Sequence, residues 1–280
     1  EDTLWSGYPH DYSNPEAREY LDEVRRLIFA GQYAEAEALA DAHMMSVPSR
    51  LQAYQPLGDL WLDFPGHAEV ADYTRSLDLQ DAVARVEYSR GEATFRREVF
   101  ASAVDQVIAV RLICDRPGQV AVRAGLTSPH RSEVVADGDA GLILRGQWIG
   151  DGQTRDLLAG AEGAGIRFEA RLAAQVTGGR VRVEDGRLVV EGADAVTLLL
   201  VAATSYRDYQ HIDGDPAAIC EQQMGAARIK TYDALRAAHV ADHRRYFGRV
   251  SLDLGHTEAE QLPTDERLEA LAQGGTDPQL

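Results

Sequence analysis

A chain of 280 residues with 45% hydrophobic content can bury one large core or two ordinary ones. Its 45 acidic against 28 basic residues give a formal charge of −17, and the basic residues form no stripe, which excludes nucleic acid as a partner. The longest apolar run, 193–203, is interrupted by Asp194 and falls short of the roughly 20 residues that cross a bilayer, so no membrane partner is expected.

Residues 15–47 carry helical periodicity. Tyr20, Val24, Leu27 and Ile28 share one face, and Tyr33, Ala36, Leu39 and Ala40 another after a break at Gly31, which predicts a helical hairpin. Asn14 is placed to cap the first helix, with Pro15 at its first position and Glu16 and Glu19 where the helix dipole favours negative charge. Pro48 then stops the pair.

From Leu57 to about Ala203 the pattern becomes short alternating runs: LGDLWLDF, ARVEYSR, TFRREVFAS, QVIAVRLICD, QVAVRAGL, GLILRGQ, GIRFEARLAAQV, GRVRVEDG, RLVVEG and AVTLLLVA. Ten such runs predict a large antiparallel β-sandwich. Pro117-Gly118, Gly178-Gly179 and Asp185-Gly186 sit between them as expected hairpin turns, Asp185-Gly186 most securely. After residue 204 helical signal returns, over 216–229 and 231–246, followed by an expected strand at 249–254 and a short helix capped by Thr264. The fold class is therefore mainly β, with an N-terminal helical hairpin insertion and a C-terminal helical linker. Residues 1–204 form the sandwich domain, its hairpin at about 15–47, and residues 205–280 the linker. A start at Glu1 without Met or an apolar leader reads as a processed or trimmed product, and the closing GGTDPQL as a chain that continues into a further domain.

Eight segments occur in order: EDTLWSG (1–7), EVRRLIFAGQYAEAEALA (23–40), YQPLGDLWLDF (54–64), REVFASAVDQVIAVRL (97–112), TSPH (127–130), ATSYRDY (203–209), HRRYFGRVSLDLG (243–255) and LPTDERL (262–268). As an ordered set they resemble family 95 glycoside hydrolases over essentially the whole chain. The resemblance implies an α-L-fucosidase-like enzyme built from an N-terminal β super-sandwich, a helical linker, an (α/α)6-barrel catalytic domain and a C-terminal β domain, of which this chain matches the first two. It further implies inverting hydrolysis of terminal α-1,2-linked L-fucose, or of L-galactose in some members. A Glu on the barrel is the general acid, and a water activated by Asn residues and an Asp attacks the opposite face; the usual carboxylate pair stands roughly 6.5–9.5 Å apart. Those residues lie beyond LPTDERL in the family. Hence no catalytic residue is expected in this chain, no metal or cofactor is expected, and the chain alone is expected to be inactive. The implied partners are fucosylated oligosaccharide and the barrel of the same polypeptide, and the implied location is secreted or periplasmic. Members open ahead of an Asn-Glu-Asp-Thr-Leu-Trp motif inside which Glu1 begins, so the first strands are expected to be missing.

The Glu-Asp pairs 1–2, 184–185 and 265–266 read as solvated charge rather than an acid and base, because neighbours on a strand point apart. His239 and His243 have helical metal spacing without a third ligand, and read as packing histidines. Cys114 and Cys220 are too few for a disulfide scaffold and too far apart for a close-spaced metal motif. Sugars stack on Trp and Tyr rings while polar neighbours fix their hydroxyls, which singles out Trp5 and Trp148. Trp61 reads as core, Trp5 as packing or a sugar contact, and Trp148 as exposed beside a glycine loop. With Thr3 as a hydrogen-bonding hydroxyl and His130 as a second wall residue, Thr3, Trp5, His130 and Trp148 are the expected substrate-binding positions. Alternatives are a carbohydrate-binding module, an α-L-galactosidase of the same family, and a structural domain bracing the barrel.

Overall fold

Two helices precede the sheets. In this computed structural model, which describes residues 4–5, 9, 11–47, 49, 54–149 and 165–280, α1 (Ala17–Phe29) and α2 (Tyr33–His43) pack on each other through Val24, Leu27 and Ala36. Gly31, at φ 75°, makes the turn between them in a region where other residues are strained. Asn14 works differently from a plain cap. Its Oδ1 accepts from the Glu16 N–H at 3.1 Å, and its Nδ2 donates to the carbonyls of His43 and Met45 at 2.9 and 3.0 Å. One side chain thus ties the start of α1 to the end of α2, while the cap position itself falls to Glu16. Pro48 lies outside the described residues.

Twelve strands follow: β1 (Asp59–Asp63), β2 (Ala71–Asp78), β3 (Val83–Arg90), β4 (Ala93–Ser102), β5 (Val107–Cys114), β6 (Val120–Thr127), β7 (Arg131–Ala136), β8 (Gly141–Gln147), β9 (Arg167–Thr177), β10 (Arg180–Glu184), β11 (Arg187–Ala193) and β12 (Ala195–Thr204). They form a four-stranded sheet, β1-β6-β11-β10, and an eight-stranded sheet, β2-β3-β4-β5-β12-β9-β8-β7, paired antiparallel throughout. The two strands beyond the expected ten, β2 and β7, are the edges of the larger sheet. Both are exposed along nearly their whole length, so neither carries the alternation that marks a half-buried strand.

Between the sheets, Val110, Leu112, Leu142, Leu172, Val196 and Leu198 of the larger meet Val122, Ala124, Leu188 and Val190 of the smaller. The outer face of the larger sheet is covered as well. There α3 (Pro216–Arg228) and α4 (Tyr232–Phe247) set Cys220, Met224, Ala227 and Leu235 against Phe100, Ala109, Ala173, Leu199 and Val201. A strand buried on both faces has no polar side, which is why β12 reads as an unbroken apolar run.

Asp185-Gly186 is the hairpin expected: both residues have positive φ, 49° and 71°, and Glu184 pairs with Arg187. The other two expected hairpin turns are corrected. Pro117-Gly118 lies between β5 and β6, and Gly178-Gly179 between β9 and β10, and each carries the chain from one sheet to the other. Turn chemistry specifies a reversal of direction, not which sheet receives the next strand. The expected strand at 249–254 does not form either; Val250 and Leu252 are 80 and 81% exposed and pair with no strand. The last helix, α5 (Thr264–Ala272), takes Thr264 as its first residue rather than its cap.

Leu198 is fully buried at the middle of β12. Leu198→Ala should therefore lower unfolding free energy by about 3 kcal/mol, read as a fall in the urea midpoint at unchanged slope. A loss under about 1 kcal/mol would show that this strand is not the centre of the core.

Candidate functional site

Four of the segments quoted above, far apart in the chain, meet at one end of the sandwich. At this end β1 begins and β6 ends, since Asp59 pairs with Thr127, and β7 begins, β8 ends and β9 begins, since Arg131, Gln147 and Arg167 are in register. Here β12 also ends, with Thr204 opposite Phe168. Leu4 is buried in the core and its carbonyl accepts from the Gln55 N–H at 2.8 Å, which fixes the β-bridge between Trp5 and Tyr54. The Trp5 ring stands edge-on to Tyr206, with centroids 6.4 Å apart. His130 donates from Nε2 to the Pro56 carbonyl at 2.9 Å, and Ser128 Oγ donates to the Leu57 carbonyl at 2.7 Å. EDTLWSG, YQPLGDL, TSPH and ATSYRDY are thus joined by hydrogen bonds and ring contacts.

Of the expected binding residues, Trp5 and His130 are both at this end and half-buried. Thr3 lies outside the described residues. Trp148 reaches the same end, but it is 5% exposed rather than open beside the glycine loop, and its backbone N–H donates to the Ile166 carbonyl at 3.0 Å. Trp61, read as core, is half-buried: Gly125 leaves room for its indole, which a Cβ there would approach to 2.2 Å, and Arg187 lies over it at 4.9 Å. Among the described residues, the exposed rings at this end are Tyr54 and Tyr209, 64 and 71% exposed, which the tryptophan-led reading passed over although both lie in family-like segments. Beside Tyr209, His211 Nδ1 meets Asp208 Oδ1 at 2.7 Å. The Gln210 backbone N–H and the His211 ring hold the Asp208 carboxyl below its usual range. Aromatic faces with a hydrogen-bonded carboxylate and imidazole at their rim suit a polyhydroxylated ligand.

The buried carboxylates are committed elsewhere. Glu169 receives Arg145 Nε at 2.7 Å and Arg171 Nε at 2.6 Å, one on each oxygen. Asp105 accepts from Ser102 Oγ at 2.9 Å and pairs with Lys230, the sole lysine of the chain, at 2.5 Å. Asp81 is shared by Arg236 and Arg244. Glu98 accepts from Tyr232 Oη at 2.7 Å and Arg85 Nη2 at 2.8 Å. Burial pushes the Glu98 carboxyl up, but the Tyr232 and Arg85 bonds outweigh it and leave it below the usual carboxylate range. Burial drives the Cys220 thiol up to about 12, which leaves it inert as a nucleophile. His239 and His243 donate from Nε2 to the carbonyls of Ala82 and Leu79 at 3.1 and 2.9 Å, so both are packing groups on α4. No group of three or more His, Cys, Asp or Glu arranged to hold a metal occurs among the described residues.

Residues 1–209 match the family described as glycosyl hydrolase family 65, N-terminal domain, and residues 231–280 match the glycosyl hydrolase family 95 catalytic domain. The chain is 35% identical over 280 residues to alpha-L-fucosidase 2 of Arabidopsis thaliana, an alignment covering 93% of this chain and 33% of that protein. It is 27% identical over 297 residues to probable alpha-fucosidase A of Aspergillus niger, covering 98% of this chain and 35% of the relative. The chain spans about one third of the length of these curated relatives. Among solved structures it is similar to a putative kojibiose phosphorylase from human microbiome at a TM-score of 0.43 and 8% identity, over 68% of this chain and 28% of that one.

The Glu98 cluster gives a pH signature. A carboxyl held low in the folded state adds stability above its unfolded pKa, and that addition is lost as pH falls through the folded value. Tyr232→Phe removes one of the bonds that hold it low, so the variant should lose about 1–2 kcal/mol at neutral pH and begin its acid unfolding at higher pH than the parent. Coincident acid limbs in circular dichroism would contradict the assignment.

Proposed function

The chain belongs to the family 95-type glycoside hydrolases, with their family 65-like N-terminal domain at residues 1–209, and from that premise we propose that it is the non-catalytic N-terminal part of an enzyme that hydrolyses terminal α-1,2-linked L-fucosyl residues from oligosaccharides with inversion. In this reading residues 1–204 are the sandwich domain, and residues 205–280 lead into the catalytic part, whose family match begins at residue 231. The observation that carries the reading is the placement of α4. It lies within the catalytic-domain match, yet it is bonded to the sandwich: Arg236 and Arg244 pair with Asp81, His239 reaches Ala82, and Leu235 is fully buried. A sandwich gripped by the opening helix of the catalytic region is a brace for it.

The exposed apolar groups that continue from α4 extend the same idea. Tyr246, Phe247, Val250 and Leu252 line an open groove with Leu79, and an apolar surface of this kind is suited to the remainder of the catalytic domain. At the same end of the sandwich, where β1 begins and β12 ends, the meeting of EDTLWSG with ATSYRDY supports a role for Thr3, Trp5 and His130 at one wall of the substrate cleft. The carbohydrate-binding-module reading loses its proposed platform, because the Trp148 ring is buried.

The full-length protein incubated with an α-1,2-fucosylated oligosaccharide should release β-L-fucose as the first anomer seen by proton NMR. Release of the α-anomer, or none, would overturn the reading. Thr3→Ala in that enzyme should raise KM by about tenfold or less, as the loss of one neutral hydrogen bond does, and an unchanged KM would remove Thr3 from the cleft.

A further inference from the structure

On the outer face of β7, β8 and β9, beside the N-terminus of α3, lies a groove of about 680 Å³. Its size falls within the range of small-ligand sites, about 300–1,000 Å³. Arg131, Gln147 and Arg167 stand directly opposite one another across the three strands. With strands ~4.8 Å apart, the two arginine Cα atoms are roughly 10 Å from each other, within mutual reach of one small anion for side chains of this length. The next row, Glu133, Arg145 and Glu169, lies on the same face. Glu169 is locked by Arg145 and Arg171, and Asp215 at the α3 N-terminus is occupied in accepting from the N–H groups of Ala217 and Ala218.

That leaves an unusual remainder. Among the described residues neither Arg131 nor Arg167 has a carboxylate at ion-pair distance; Arg167 donates only to the Gly214 carbonyl, at 3.0 Å. Glu133 has no cation at ion-pair distance either. Two guanidinium groups without a carboxylate partner, beside a carboxylate balanced only at a distance by Arg145, suit a ligand that carries a single anionic group together with hydroxyls, and reject a polyanion. We propose that this groove binds an acidic sugar, one bearing a carboxylate or a sulfate ester, with Arg131 and Arg167 gripping the anionic group and Glu133 accepting from the hydroxyls. Choosing a sugar rests on the glycosidase reading above. The groove opens at the end of the sandwich where the family-like segments meet, so an acidic unit of a fucosylated glycan could be held there while its fucose lies elsewhere.

Isothermal titration of the chain with methyl glucuronide, methyl galactoside 6-sulfate, methyl glucoside and inorganic sulfate tests the idea. Heat from either charged glycoside supports it, and the tighter of the two identifies the anionic group. Arg131→Gln and Arg167→Gln should each weaken that binding by about tenfold or more, while Arg123→Gln, on the other sheet, leaves it unchanged. Raised salt should weaken it in the parent chain too, a readout that needs no variant. No heat from either charged sugar, equal binding of methyl glucoside or of inorganic sulfate, or unchanged binding in both variants would overturn the proposal. Fucose release by the full-length enzyme is measured separately, so the failure of either reading is told apart from the failure of the other.

Discussion

Burial of the eight-stranded sheet on both faces is the constraint on which the rest of the structure depends. The smaller sheet covers one face of β12 and α3 with α4 covers the other, which places Thr197 and several carboxylates beneath the helices. Such groups are tolerated only when paired, and the pairing decides how the helices sit. Arg111 donates to Thr197 Oγ1 at 2.7 Å and lies against the Tyr232 ring. Lys230 meets Asp105, Tyr232 meets Glu98, and Arg236 and Arg244 meet Asp81. Apart from the Arg111–Thr197 bond, which ties β5 to β12, each of these contacts joins the stretch 230–244 to the sheet or its turns. A shift of the helices would strip the buried Asp105 and Asp81 of their cations, so it cannot occur without cost.

The same bonds fix how α4 sits on the sandwich. Ala82 holds φ 50°, a strained value for a residue with a Cβ, at the turn between β2 and β3, and its carbonyl is the acceptor for His239. Asp81, next to it, takes the two arginines. The turn is therefore shaped to receive α4, the helix with which the family 95 catalytic match begins.

Much of this could be read from the residues, and the gaps have physical causes. The Asp185-Gly186 hairpin follows from turn chemistry, and the two-sided burial of β12 from its unbroken apolar run. The edges β2 and β7 were hidden because an exposed strand has no apolar face to alternate. Val250, Leu252 and Leu254 alternate as a strand would, but periodicity reports only which residues seek burial; here they line an exposed flank instead. Sheet assignment at Pro117-Gly118 and Gly178-Gly179 depends on long-range pairing that no local signal contains. At the candidate site, sequence reasoning chose Trp148 for its ring and a nearby glycine loop, while the fold buries it and exposes Tyr54 and Tyr209. The family-like segments were the better guide, since their residues meet in space.

The central claim, that α4 and the sandwich are one cooperative unit, is tested most directly by native-state hydrogen exchange on the chain. The amides of Leu235 to Asp242 should exchange with the same free energy of opening as those of β12, because opening the helix exposes the buried Asp81 and Glu98. Exchange of α4 at the rate of α5, whose residues are all outside the core, would contradict the account.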